Sequence, residues 1–274
     1  MTTTPASIAQ PGRNAPIGIF DSGVGGLSIW REVSSLLPSE SIIYFADSAN
    51  CPYGQREQTE VQAFSERIVR FLLEKKCKLI VVACNTATAM AIDHLRRNYP
   101  VSFVGIEPGV KPAALESRTG VIGILATAGT LKGRIFNETK ARFASHVKIQ
   151  MTEGTGLVEI VEQGKIGTPE AEILLRRYIE PMLAANIDKL VLGCTHYSFL
   201  ADDIRKITQG RVALVEPNLA VAQRTKSLLN ERELLRDGTP ESQRYEFYSS
   251  GPIDSLSEMV RRIGAIGTVE MLQV

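Results

Sequence analysis

The chain has 274 residues, 44% hydrophobic and 22% charged, which is enough apolar material for a substantial core and a length that points to two domains. Its 31 Lys and Arg against 30 Asp and Glu leave a formal net charge of +1. That balance excludes a global electrostatic bias toward nucleic acid or an anionic membrane and turns attention to a small-molecule partner. No apolar run approaches the roughly 20 residues needed to cross a bilayer. Four cysteines without short metal-like spacing fit reduced thiols in a cytoplasmic protein better than a disulfide framework. With His94, His146 and His196 as the only histidines, no zinc site is expected.

Met1 to Pro16 is polar, lacks the charged start and apolar stretch of a secretory signal, and reads as a flexible tail. Ile17-Gly-Ile-Phe-Asp21 then reads as a strand, followed by the glycine-rich turn Asp21-Ser-Gly-Val-Gly-Gly26 and a helix from about Leu27. The turn fits either a tight strand-to-helix connection or an anion cradle at a helix N-terminus. It is not the GxGxxG of a dinucleotide site. Apolar Val61, Phe64, Ile68, Phe71 and Leu72 predict a helix within Glu57 to Lys76, and Ile173 to Leu183 shows the same period. Strands end before Cys84 and Cys194 and at Phe103 to Pro108, Val121 to Thr127 and Ala213 to Pro217. A further helix, a late strand Tyr245 to Gly251 and a last helix near Asp254 to Ile263 complete the chain.

These landmarks repeat. Asp21 precedes Cys84 by 63 residues and Thr127 precedes Cys194 by 67, while the intervals from cysteine to Glu107 and Glu216 are 23 and 22. The expected fold is therefore α/β, with two similar lobes, each a mostly parallel sheet flanked by helices, and a site in the cleft between them. The first lobe takes residues 17–117 and 218–274, and the second takes 118–217.

Cys84 and Cys194 each end an apolar strand and are followed by small polar residues: Asn85, Thr86 and Thr88 in one case, Thr195, His196 and Ser198 in the other. Open α/β sheets bind ligands at such strand ends. Two matched thiols facing one substrate can act as an acid and a base. Asp21 at a strand end suits an ammonium group or a proton-transfer partner, and also a helix cap. His196 is placed to tune a thiol or a nearby carboxylate. Cys77, His94 and His146 read as structural, and Cys51 as a turn residue open to solvent. Glu159 and Glu162 share one short segment and are not separated by pattern.

The segments Phe20-Asp-Ser-Gly-Val-Gly-Gly26, Tyr44-Phe-Ala-Asp47, Pro52-Tyr-Gly54, Val82-Ala-Cys-Asn-Thr-Ala-Thr88, Glu107-Pro-Gly109 and Leu192-Gly-Cys-Thr-His-Tyr197 resemble the glutamate racemases of the cofactor-independent aspartate/glutamate racemase family. The resemblance implies interconversion of L- and D-glutamate, with D-glutamate supplied to peptidoglycan. It implies Cys84 as the thiol acting on D-glutamate and Cys194 as the one acting on L-glutamate, assisted by Asp21 and His196 respectively. It further implies Ser22, Tyr53, Gly54, Asn85, Thr86, Thr127 and Thr195 as substrate-binding positions, with Asp21 and His196 also touching substrate. Where many relatives carry Cys-Pro this chain has Gly154-Thr155, and the offset places the family's site glutamate at Glu162.

No lysine occupies a strand end comparable to that of the cysteines, so a pyridoxal phosphate Schiff base is not expected; the resemblance implies no cofactor of any kind, and no metal is expected. The implied partner is glutamate, with neither nucleic acid nor membrane. A homodimer is compatible with the resemblance, which does not fix the assembly, since family members differ in dimer geometry. The competing readings are an aspartate racemase of the same family and a two-lobe amino-acid binding module.

Overall fold

Short apolar strands with both faces covered build the first sheet. In the computed structural model, which describes residues 11–238 and 243–274, Ile17 and Ile19 of β1 (Ile17–Asp21) pack into one core and Phe20 into another on the opposite face. This is the two-residue period of a strand. The chain continues through α1 (Leu27–Leu36), β2 (Ile42–Ala46), α2 (Gln58–Glu74), β3 (Leu79–Val82), α3 (Asn85–Asn98), β4 (Ser102–Gly105) and α4 (Val110–Glu116). In β3 the alternation recurs, with Leu79 and Val81 on one face and Ile80 and Val82 on the other. Strands buried on both faces carry nearly continuous apolar runs, as parallel sheets require.

The second half repeats the plan with β5 (Val121–Ala126), α5 (Ala128–Lys132), α6 (Arg134–Phe143), β6 (Lys148–Glu153), α7 (Leu157–Glu162), α8 (Pro169–Ala184), β7 (Lys189–Gly193), α9 (Ala201–Thr208) and β8 (Ala213–Val215). Its strand order is β6-β5-β7-β8, matching β2-β1-β3-β4 in the first sheet position for position. The duplication inferred from spacing is thus present in the topology, and every strand pair in both sheets is parallel. Beyond Pro217 come α10 (Asn218–Glu231), β9 (Tyr245–Ser249), α11 (Asp254–Arg262) and β10 (Thr268–Met271). β9 pairs with β2, Ile42 opposite Tyr245, and β10 with β9, so the chain's end extends the first sheet to six strands. The largest core crosses between the sheets, joining Ile17, Leu27 and Val81 to Leu157, Leu192 and Tyr197.

Three sequence expectations change. Of the flexible tail expected at Met1 to Pro16, residues 1–10 lie outside the described residues, while residues 11–16 are held in place. The buried ammonium of Lys78 donates to Glu40 at 2.5 Å and to the Arg13 carbonyl at 2.5 Å, and Arg13 itself donates to the Glu233 carbonyl and the Asp237 carboxylate. A buried ion pair needs further acceptors, and the tail supplies one. In α8 the apolar pattern included Ile173, which is 67% exposed; the face turned inward is Ala171, Leu175, Ile179 and Met182. β6 and β10 are edge strands whose polar, partly exposed residues give no strand signal.

Candidate active site

In each sheet the chain steps to one side of its first strand and then to the other, so β1 and β3 flank one topological switch point and β5 and β7 flank its counterpart. Ligands of open α/β sheets bind beyond the carboxyl ends of such strands. Asp21 ends β1 and Ser22 follows it; Thr127 follows β5; Cys84 and Cys194 come just after β3 and β7. Both cysteines line one small cavity together with Ser22, Tyr53, Gly54, Asn85, Thr86, Thr127, Thr195 and His196. The structure therefore collects these residues at one place, joined by Pro52 and Val158, which the sequence did not single out. Larger grooves of about 530 and 540 Å³ lie elsewhere, lined mainly by surface residues and holding none of this set.

The two thiols have unlike surroundings. Cys84 caps α3: its sulfur accepts the Ala87 N–H at 3.4 Å and lies 3.8 Å from Ser22 Oγ. The helix N-terminus favours a thiolate there, but burial, and then the charge of Asp21, push the Cys84 thiol well above its ordinary value. Cys194 leads instead into a 3-10 turn, Thr195–Leu200, and its sulfur lies 3.7 Å from His196 Nδ1. The other ring nitrogen, Nε2, meets Glu162 Oε1 at 2.7 Å.

Asp21 and Glu162 stand behind the cavity wall. Asp21 is fully buried, and its Oδ2 accepts the Gly26 N–H at 2.6 Å and the Thr195 hydroxyl at 3.2 Å. Burial raises its carboxyl above the ordinary value despite the opposing charge of His196. Burial works against charge at Glu162 and His196 too, but there the contacts win. The imidazole is held well above its usual range by Cys194, Cys51 and Glu162, and Glu162 is held below its own by His196 and the Val24 N–H. An imidazolium–carboxylate pair is the consistent state.

Hydrogen bonds between residues of the two sheets' loops close the cleft: Thr86 to Thr127 at 2.9 Å, Thr195 to Asp21 at 3.2 Å and Val24 N–H to Glu162 at 2.7 Å. They explain Gly23 and Gly25 of the first turn, neither of which has a positive φ. A Cβ on Gly23 would lie 1.9 Å from Glu162 Oε1, and one on Gly25 would lie 2.3 Å from His196 Nδ1. These residues are glycine because side chains of the other half press against the backbone, so close approach replaces the anion cradle as their reason. Gly54 follows the same logic, its missing Cβ leaving room for Thr127.

Glu162, rather than Glu159, is the carboxylate that reaches the site. Cys51 is half-buried, with its sulfur 3.8 Å from Glu162 Oε1, so the solvent-open turn residue expected there is corrected. Burial pushes its thiol up to about 11. His94 pairs with Glu66 and His146 with the Ala114 carbonyl, both away from the cavity. Two supporting residues went without a role in the sequence although both stand in the segment Tyr44 to Asp47. Tyr44 donates to the Gly23 carbonyl at 2.6 Å, and Asp47 accepts the Tyr53 hydroxyl at 2.5 Å, fixing the ring that lines the cavity.

A family model described as Asp/Glu/Hydantoin racemase matches residues 27–225. The chain belongs to this racemase family. A glutamate racemase from Herpetosiphon aurantiacus is 47% identical over 239 residues, covering 87% of this chain and 94% of the relative. The solved glutamate racemase isoform from Bacillus anthracis superimposes with a TM-score of 0.85 at 30% identity, over 95% of this chain and 98% of its own. The glutamate racemase of Escherichia coli, solved with L-glutamate and an activator, gives a TM-score of 0.83 at 31% identity, over 94% and 98%. A racemase must reach both faces of one carbon, and in this family member two thiols from different sheets border one cavity.

Proposed function

We propose that the chain is a glutamate racemase that moves the α-proton between Cys84 and Cys194 without a cofactor. The observation that carries this reading is the shared cavity: two thiols, each after a switch-point strand of its own sheet, with different polar neighbours, Ser22 beside Cys84 and His196 beside Cys194. For L-glutamate, Cys194 as thiolate removes the α-proton and the protonated Cys84 delivers one to the opposite face; for D-glutamate the roles reverse. His196 accepts or returns the proton of Cys194, with Glu162 holding its charge. Asp21, whose carboxyl burial raises above its ordinary value, does the same for Cys84.

A free thiol titrates near 8.5 and the α-hydrogen of an amino acid is a far weaker acid. General acid–base catalysis contributes about 10²–10⁴-fold. The remainder comes from positioning and from charge stabilisation in a site closed to water. Asn85, whose amide nitrogen and oxygen are both buried and unpartnered in the structure, and the hydroxyls of Ser22, Thr86, Thr127 and Thr195 are the donors for the substrate carboxylates. The cavity measures about 10 Å³, room for about one water. The lobes must therefore part to admit an amino acid, exchanging the bonds of Thr86, Thr195 and Val24 for bonds to substrate.

Among the described residues no helix is long and apolar enough to cross a membrane. We place the enzyme in the cytoplasm, supplying D-glutamate to peptidoglycan. The decisive experiment runs the reaction in heavy water with no added cofactor. Early product should carry deuterium at Cα while the remaining substrate keeps protium, because the delivered proton comes from the opposite, solvent-exchanged thiol. Undiminished racemisation by a Cys84→Ala, Cys194→Ala double variant sinks the two-thiol reading.

A further inference from the structure

One donor set at the site is used only in part by proton transfer. Cys51, in the loop after β2, comes against Glu162 at the end of α7 and His196 after β7. One ligand atom from each, Sγ, Oε1 and Nε2, lies within 4.8 Å of the others. Thiolate, carboxylate and imidazole together are the donors of a borderline-soft cation, zinc above all. Around a tetrahedral zinc with bonds of about 2.0–2.3 Å, neighbouring ligand atoms stand roughly 3.3–3.8 Å apart. The Cys51 to Glu162 distance of 3.8 Å already meets that spacing. The Glu162 to His196 distance of 2.7 Å must open by about half an ångström, as happens when a cation replaces a shared proton.

We propose that Cys51, Glu162 and His196 form an inhibitory site for a zinc-class divalent cation that clamps the two lobes together. Cys51 belongs to the first sheet's loops and the other two ligands to the second's, so one cation bridges the cleft that substrate has to open. It also takes the ring nitrogen opposite the one facing Cys194, which removes the imidazolium from the proton path. Binding is balanced by release of two protons to solvent, one from the Cys51 thiol and one from the imidazolium. The site therefore competes with protons, and its affinity rises with pH. Three protein ligands leave a fourth position open to water, unlike the closed four-ligand shell of a structural zinc.

The inhibitory consequence rests on the racemase reading, whereas cation binding does not, so the test reads them separately. Cobalt(II) titrated into the wild-type chain should bind once per chain with a thiolate charge-transfer absorption in the near ultraviolet. Cys51→Val and Cys51→Ser should both lose that absorption. Zinc inhibition of glutamate racemisation, scaled to each variant's own zinc-free rate, should weaken at least tenfold in both. Equal cobalt absorption and equal zinc inhibition in wild type and variants overturn the site and place the cation on Cys84 or Cys194. Cobalt binding that depends on Cys51 in a chain that does not racemise glutamate keeps the site and overturns the functional reading.

Discussion

Glu162 Oε1 and His196 Nε2 stand 2.7 Å apart, and the same oxygen takes the Val24 N–H at 2.7 Å. One carboxylate oxygen thus sets the charge of the imidazole beside Cys194 and ties α7 to the first glycine-rich turn. On the proposed mechanism, proton transfer and cleft closure share an atom.

Glu162→Gln keeps the shape but removes the charge. A buried imidazolium stripped of its partner is strongly disfavoured, so His196 should titrate lower and the limb of the pH–rate profile that reports it should move toward acid. We expect kcat/KM to fall about 10²-fold. The fall must be equal for the two enantiomers, because their equilibrium constant is one. The pair's contribution to stability has a window. Glu162's part is present above about 4.3 and lost as pH falls through its lowered folded value; that of His196 is complete below about 6.5 and lost as pH rises through its raised one. Thermal melts should show the widest gap between wild type and variant from about pH 4.3 to 6.5, narrowing as pH falls below the first and rises above the second. A variant with an unmoved pH profile counts against the pairing.

Asn85→Ala separates binding from folding. The Asn85 amide is buried with neither polar atom bonded within the protein, a situation that costs about 1–3 kcal/mol per group. Its removal should leave Tm unchanged or higher. Lost charge-assisted bonds to a substrate carboxylate, about 1.5–3 kcal/mol, correspond to a rise in KM of roughly 10–100-fold. A drop of several degrees in Tm with KM unchanged would assign Asn85 to structure instead.

The strand-end cysteines and their polar flanks were legible because a parallel strand buried on both faces writes an uninterrupted apolar run that stops where the ligand crevice starts. Leu79 to Val82 and Lys189 to Gly193 are such runs. The duplication was legible for the same reason, since β1, β3, β5 and β7 are the central strands. β6 was not, because an edge strand such as Lys148 to Glu153 satisfies one side with solvent and carries Lys148, Gln150 and Glu153. Glu162 could be placed by alignment of motifs but not by pattern, since its partners Val24 and His196 lie 138 and 34 residues away. Cys51 was misjudged because the element that buries it comes from the other half of the chain.

Gly25→Ala tests the close approach of the halves. The added methyl would sit 2.3 Å from His196 Nδ1 and 2.6 Å from Thr195 Oγ1. The imidazole has to move, and overpacking of this kind costs about 1–3 kcal/mol. Misplacement on the order of 1 Å lowers turnover about 10²-fold. Gly12→Ala, where the new carbon meets nothing within 4 Å, is the control and should match wild type in racemisation rate and melting temperature. Full activity in Gly25→Ala would show that the turn yields without disturbing His196.

Asp21→Asn should trade activity for stability in a pH-dependent way. Burial raises the folded-state value of this carboxyl above 3.8, with the charge of His196 only partly offsetting it. Between the unfolded value and the raised one the folded protein binds the additional proton, so wild-type stability is highest below about 3.9 and declines as pH rises through the folded value. Asparagine does not titrate, and its carbonyl can still accept from Gly26 and Thr195. The difference in Tm between variant and wild type should therefore be smallest in acid and grow in the variant's favour toward neutral pH. If Asp21 exchanges a proton with Cys84 as proposed, kcat/KM should fall by about 10²–10⁴-fold in both directions. A variant less stable than wild type at pH 7 would mean that the ionised carboxylate is welcome in its pocket, and that its role at Cys84 is to repel a thiolate rather than to carry a proton.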